Sequence, residues 1–307
     1  MISLIDLYLE ELSKVRDPKT IEKKKYLLMH LEELRDFSKR ELFDFYEKLR
    51  QKLSHRSAMD VIMEVRLFYG WLKERGYSYE FSEKALEELK KKKEFDGHAR
   101  KYYTEEEVEV ILSAIRGTLE GTKPKPPVYY LLSVFLLCSG LRLSEALSVK
   151  KEDIFKREML SSQGEKRVFY LVRVKGKFSK ERETPLVFFK EEYRKLFEKR
   201  LSELSSGEKL FRYALAFPKS VKVLELKKGT ALNFFHDLEK ELKALGYNIP
   251  VNAHRFRYTY AVWLARKGLP INFLKEFLGH SSSKTTLEIY AQAQKEKSLE
   301  VLAQLTL

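Results

Sequence analysis

The chain of 307 residues contains a single cysteine, Cys138, so no disulfide framework can form within it, as expected of a reducing, intracellular setting. Its longest apolar run, VYYLLSVFLLCSGL, has about 14 residues and is too short to cross a bilayer. Cys138 lies inside that run and reads as a small buried apolar residue. The amino terminus, MISLIDLYLEELSKVRD, carries acids where a signal peptide carries bases. A soluble, cytoplasmic chain with no membrane partner is expected. No acidic cluster has metal-binding spacing and no glycine-rich phosphate loop is present. A two-metal nuclease or a nucleoside triphosphatase therefore finds little support, and neither metal nor cofactor is expected. Internal repeats and low-complexity tracts are also missing.

Cationic charge is what the chain has in excess. Lys and Arg number 59 against 45 Asp and Glu, a formal net charge of +14 with a pI near 9.4. That balance argues for a polyanionic partner, nucleic acid first, and says nothing of fold.

Residues 1–93 read as helix after helix. Leu4, Leu7, Tyr8 and Leu12 form an apolar stripe, and Asp17 followed by Pro18 opens a second helix. Ser38 and Glu41 make a capping box for a third, a long helix runs from about Ala58 to Gly76, and SEKALEELKKKK supplies a short last one. The lysines that end it, Lys90, Lys91, Lys92 and Lys93, suit the helix dipole as a solvated face, or can lie across nucleic-acid phosphates. Residues 94–103, with Gly97 and no apolar period, form a linker whose Arg100 and Lys101 are further candidate phosphate contacts. A second domain, 104–294, opens with a capping box of Thr104 and Glu107. It is mostly helical with one β interruption, a hairpin of KRVFYLVRV and ERETPLV with a basic tip. Helices resume at about 189, 229, 254, 271 and 284, and 295–307 is a tail. The fold class is mainly α with a small antiparallel β-sheet or hairpin in the C-terminal domain.

Within the second domain one group of residues has a shared chemical logic. In NAHRFRYTYA, His254 and Arg257 lie three apart on one helical face while Arg255 points elsewhere. Arg142 in GLRLSEAL and Arg257 offer planar forks suited to phosphate oxygens. Lys177 in the hairpin is a proton donor, flanked by Lys175 and Lys180. His254 and His280 titrate near neutrality, and Tyr290 carries a hydroxyl able to act as a nucleophile. Singly each has a plain structural reading, such as an ion pair of Arg142 with Glu145, or His280 following a helix stopped by Gly279. Together they suit phosphoryl transfer through a covalent tyrosine.

The order Arg142, Lys177, His254, Arg257, His280, Tyr290, with GLRLSEAL, KERETPL, HRFR, LGH and TTLEIY around them, resembles the tyrosine recombinase (integrase) family over roughly residues 103–292. The resemblance implies that Tyr290 attacks a scissile phosphate to form a 3′-phosphotyrosyl bond. Arg142 and Arg257 would hold the non-bridging oxygens, Lys177 would protonate the departing 5′-oxygen, His254 would assist proton transfer, and His280 would donate to a phosphate oxygen. Glu145 looks like the family's helix acid that orients the first arginine. Lys175, Lys180 and Arg255 remain candidate DNA contacts. By the same resemblance residues 1–93 are a core DNA-binding domain that forms a two-domain clamp with the catalytic one. Residue 4 already lies in the first helix, which favours a simple Xer-like or Cre-like layout.

Two departures bear on subfamily: Tyr258 and Gln292 stand where histidine is frequent in the family. The implied partners are double-stranded DNA, further copies of the chain in a tetramer passing through a Holliday junction, and accessory proteins. The tail from Lys295 can dock in a neighbouring protomer or fold back on its own domain. A type IB-like topoisomerase, using the same chemistry on one duplex, and a non-catalytic DNA-binding protein are the alternatives.

Overall fold

The computed structural model describes residues 3–91, 100–160, 166–175, 181–217, 220–279, 286–291 and 293–294. It divides into two compact units, residues 1–99 and 100–307.

Among the described residues the first unit is made of α1 (Leu4–Ser13), α2 (Pro18–Leu28), α3 (Lys39–Arg50), α4 (His55–Glu74) and α5 (Glu83–Lys91). Local chemistry starts them. Ser3 and Asp6 cap α1 reciprocally, Asp17 caps α2 ahead of Pro18, and Ser38 with Glu41 closes the expected box on α3. The long helix begins earlier than its apolar pattern indicates, because the Ser54 hydroxyl accepts the Ser57 N–H at 3.2 Å. Its buried face, Val61, Ile62, Val65, Phe68 and Leu72, is the centre of the core, joined by Phe37, Leu42, Leu86 and Leu89. Glu64 is buried on that same helix; both its oxygens accept from Lys24 Nζ at 2.6 Å and Oε1 also accepts from the Tyr8 hydroxyl at 3.0 Å. A buried carboxylate is tolerated here because three donor contacts replace its water.

The second unit opens with α6 (Glu105–Arg116), which begins at the expected box of Thr104 and Glu107 and ends at Gly117 in the left-handed region. There follow α7 (Pro127–Ser139), the one-turn α8 (Leu143–Ala146), strands β1 (Ile154–Leu160), β2 (Lys166–Lys175) and β3 (Glu181–Leu186), and α9 (Glu191–Glu203). Strands β4 (Arg212–Phe217) and β5 (Ser220–Glu225), then α10 (Lys228–Ala244), α11 (Ala253–Arg266) and α12 (Ile271–Leu278), lead to helical residues 286–291. The apolar α7 is the central pillar, buried among α6, α9, α10 and α11. Cys138 is buried there and its thiol is pushed up to about 12 by burial.

The expectation of one β interruption is corrected in two places. The hairpin of β2 and β3 gains β1 on its outer side, giving an antiparallel order β1-β2-β3, and β4 with β5 forms a separate two-stranded sheet. In β1 the central Lys156, Arg157 and Glu158 are all exposed, so the strand carries no apolar alternation to betray it. Between β4 and β5 the sequence is Pro218-Lys219, without the Asn-Gly or Gly-X signature of a two-residue hairpin. Among the described residues no helix is long and apolar enough to cross a membrane.

Candidate active site

Two helix ends meet at the site. The first is the end of α7, where Gly140 takes φ +60° and an added Cβ would lie 2.3 Å from Tyr260 Cδ1 on α11. Only glycine allows that approach. The chain then turns directly into Arg142, whose backbone N–H donates to Glu145 Oε2 at 2.8 Å. The second is the end of α12, where Gly279 turns the chain at φ +59°.

Three arginines converge on that second end, one to each of three successive carbonyls. Arg182 Nε donates to Phe277 O at 3.0 Å, Arg257 Nη2 to Leu278 O, and Arg142 Nη2 to Gly279 O at 3.3 Å. Terminal carbonyls of a helix lack intrahelical partners and bear its partial negative charge, so they suit cations. Arg257 Nη1 also donates to Gly140 O at 2.7 Å, so this one guanidinium ties the two helix ends together. It is 2% exposed. Burial, then the charges of Arg142 and Arg182, with Glu145 and Tyr258 opposing, push its pKa down to about 9, and it stays charged at neutral pH.

Glu145 is the counter-charge at the centre. Its Oε1 accepts from Arg142 Nη1 at 2.9 Å and from Arg182 Nη1 at 3.2 Å, and its Oε2 from Arg182 Nη2 at 2.8 Å. Burial would raise its pKa, but the Arg182 and Arg142 contacts outweigh burial and hold it below the usual carboxylate range.

His254 sits on the first turn of α11, one turn ahead of Arg257 and exposed, with its ring 4.9 Å from that of Tyr258. Partial desolvation, then the charges of Arg257, Arg142 and Lys101, lower its pKa from the ordinary 6.5, leaving a neutral imidazole able to take a proton. The helix start is fixed from two sides: the Asn252 side chain accepts the Arg255 N–H at 2.9 Å, and the Tyr103 hydroxyl donates to Pro250 O at 3.0 Å while accepting the Asn252 N–H at 3.1 Å. Arg255 departs from the His254 and Arg257 face and lies 5.9 Å over the Tyr103 ring.

Tyr290 lies in the helical stretch 286–291, half-buried against the cluster that contains Tyr260, Leu274, Leu278 and Ile289. Its hydroxyl has no hydrogen bond to another described residue. Lys177, Lys180 and His280 lie outside the described residues, as do Lys92, Lys93 and the tail 295–307. Of the other basic candidates, Lys90 pairs with Glu87 at 2.6 Å, Lys91 is exposed at the end of α5, and Lys175 faces Glu181 at 3.7 Å across the β2–β3 pair. Arg100 pairs with Glu107 at 2.6 Å, while Lys101 lies close enough to His254 to act on its charge. No group of three or more His, Cys, Asp or Glu residues placed to hold a metal ion occurs among the described residues. The sequence reading passed over Arg182 and Thr184, whose hydroxyl also donates to Phe277 O at 3.0 Å. Their one visible signal is the alternation of β3, which turns both to the same side.

Comparison with known proteins gives this geometry its setting. A family model described as the Phage integrase family matches residues 101–297. The "Probable integrase/recombinase" of Aquifex aeolicus (strain VF5) is 48% identical over 98% of this chain and 99% of its own length. The tyrosine recombinase XerC of Leptospira interrogans serogroup Icterohaemorrhagiae serovar copenhageni is 30% identical over 54% of this chain, and the match spans about half, 47%, of that protein. Among solved structures, the Tn1549 transposon integrase in complex with a circular intermediate DNA covers 97% of this chain and 100% of its own at a TM-score of 0.63 and 17% identity, a likeness of fold. Two arginine forks and an imidazole gathered at two helix ends, in a chain so matched along its length, place the protein in the phage integrase family, the tyrosine-type site-specific DNA recombinases.

Proposed function

We propose that this recombinase cuts and rejoins duplex DNA through a covalent tyrosine, with Tyr290 as nucleophile and Arg142, Arg257, His254, Lys177 and His280 serving the same phosphate. The observation that carries the reading is the convergence of Arg142 and Arg257 on one helix end beside His254. Arg257 has five N–H donors and, among the described residues, spends two on Gly140 and Leu278; the others serve a non-bridging oxygen. Arg142, with its side chain 44% exposed, meets the same phosphate from the solvent side.

The Tyr290 Oη forms a bond to phosphorus as the bond from phosphorus to the 5′-oxygen breaks. The phenol proton passes to neutral His254, and Lys177 supplies a proton to the departing oxygen. Charge growing on the non-bridging oxygens falls to the two arginines and His280. One phosphoester replaces another, so attack by a 5′-hydroxyl reseals the strand without ATP, and the two guanidinium charges do the electrostatic work without a metal. DNA as the partner is supported by the net charge of +14 and by the Tn1549 integrase, whose structure holds DNA. Exchange between two sites proceeds through a Holliday junction in a tetramer.

The test is a plasmid carrying two copies of a duplex selected for binding from a random-sequence pool. Deletion products together with a four-way junction are expected. Relaxation without exchange would replace this reading with a topoisomerase acting on single duplexes.

A further inference from the structure

Arg182 differs from the other two arginines in that every nitrogen of its guanidinium is bound to the protein, two of them to one carboxylate. Its side chain is 11% exposed, and all three of its nitrogens are engaged: Nε with Phe277 O at 3.0 Å, Nη1 with Glu145 Oε1 at 3.2 Å and Nη2 with Glu145 Oε2 at 2.8 Å. Its contacts link it to the site through the groups it holds, and both of those groups hold the site. Glu145 anchors the backbone N–H and the guanidinium of Arg142. Phe277 O is the first of the three carbonyls that end α12, the next two being those met by Arg257 and Arg142. An added Cβ on Gly279 would stand 3.0 Å from Arg182 Cζ, so the guanidinium lies flat against the turn after α12.

We propose that Arg182 is a positioning residue for strand cleavage, placing Arg142 by way of Glu145 and the turn after α12 by way of Phe277 O. This rests on the cleavage reading above. Without Arg182, the buried Glu145 carboxylate keeps Arg142 as its remaining cation and draws that fork away from the phosphate. A lysine restores the charge but not the planar three-way geometry, because one ammonium cannot meet both carboxylate oxygens and the carbonyl along the same directions. Thr184 supports the same carbonyl from the next inward position of β3, so the turn keeps one anchor when Arg182 is changed.

The test uses the full chain as Arg182→Ala and Arg182→Lys, at a temperature well below the melting point of each. The probe is a linear duplex selected for wild-type binding from a random-sequence pool. Measured are the single-turnover rate of SDS-stable adduct at saturating protein, the affinity for the duplex, and the melting temperature. Arg182→Ala is expected to lose about 10- to 100-fold in adduct rate, as for a displaced reacting group, with affinity unchanged. Arg182→Lys should recover melting temperature without recovering rate, and added guanidinium ion should restore part of the rate of the alanine variant. Rates that follow melting temperature, or losses accounted for by weaker binding, would overturn the positioning role. A wild type that forms no adduct overturns the cleavage reading and this inference with it. A wild type that cleaves while both variants cleave as fast overturns the inference alone.

Discussion

Arg257 on α11 donates to the carbonyl of Gly140 at 2.7 Å, joining the end of α7 to the start of the helix that also carries His254. The contact fixes the height of the buried fork relative to Arg142, two residues past Gly140.

Arg257→Lys should keep the positive charge and lose the fork. Cleavage is expected to fall by about 10² to 10³, as when one preorganised donor to a developing oxyanion is lost, while DNA affinity is nearly retained. Single-turnover cleavage and equilibrium binding measured on the same duplex check this. Equal losses in both would make Arg257 a binding residue.

Gly140→Ala adds a Cβ 2.3 Å from Tyr260 Cδ1 at a positive φ. Overpacking and backbone strain together should cost about 3 kcal/mol, read by denaturant unfolding. Gly279→Ala, with Arg182 at 3.0 Å, should cost less, because a side-chain end can give way where a buried ring cannot.

His254 should titrate below its ordinary 6.5 in the free protein, followed by NMR of the ring protons. Its folded-state pKa is depressed, so on acidification the unfolded chain takes the proton first. Its contribution to stability is intact above 6.5 and is lost as pH falls through the depressed value. Binding of a duplex phosphate beside Arg257 and Arg142 should raise the pKa, since it offsets two of the three charges that lower it. A titration unmoved by DNA would place His254 away from the phosphate.

In the first unit, Lys24→Met should destabilise by about 3 kcal/mol, because Glu64 is left buried with Tyr8 as its remaining donor. The pair Lys24→Met with Glu64→Leu should recover most of that loss, and denaturant unfolding of the two variants reads the difference. No recovery in the double variant would mean that the pair matters for more than its charge balance.

Much of this architecture can be read from the sequence because its signals are local. Ser38 with Glu41 and Thr104 with Glu107 are capping boxes spanning three residues, and the α7 run is apolar on every side. Glu145 beside Arg142 is legible for the same reason. Strand β1 escapes because an exposed outer strand needs no apolar alternation, and β4 with β5 because Pro218 and Lys219 carry no turn signature. Arg182 escapes because its partners, Glu145 and Phe277, lie 37 and 95 positions away, and only the folded chain brings them together.

The most direct measurement is covalent capture. Supercoiled plasmid carrying the selected binding duplex is incubated with the protein in EDTA without ATP and quenched in SDS, with wild type and Tyr290→Phe compared side by side. Protein joined to DNA in the wild type alone is the predicted result, and it identifies nucleophile and metal-free chemistry together. An adduct that persists in Tyr290→Phe, or a wild type that binds the duplex tightly and forms none, would contradict the account.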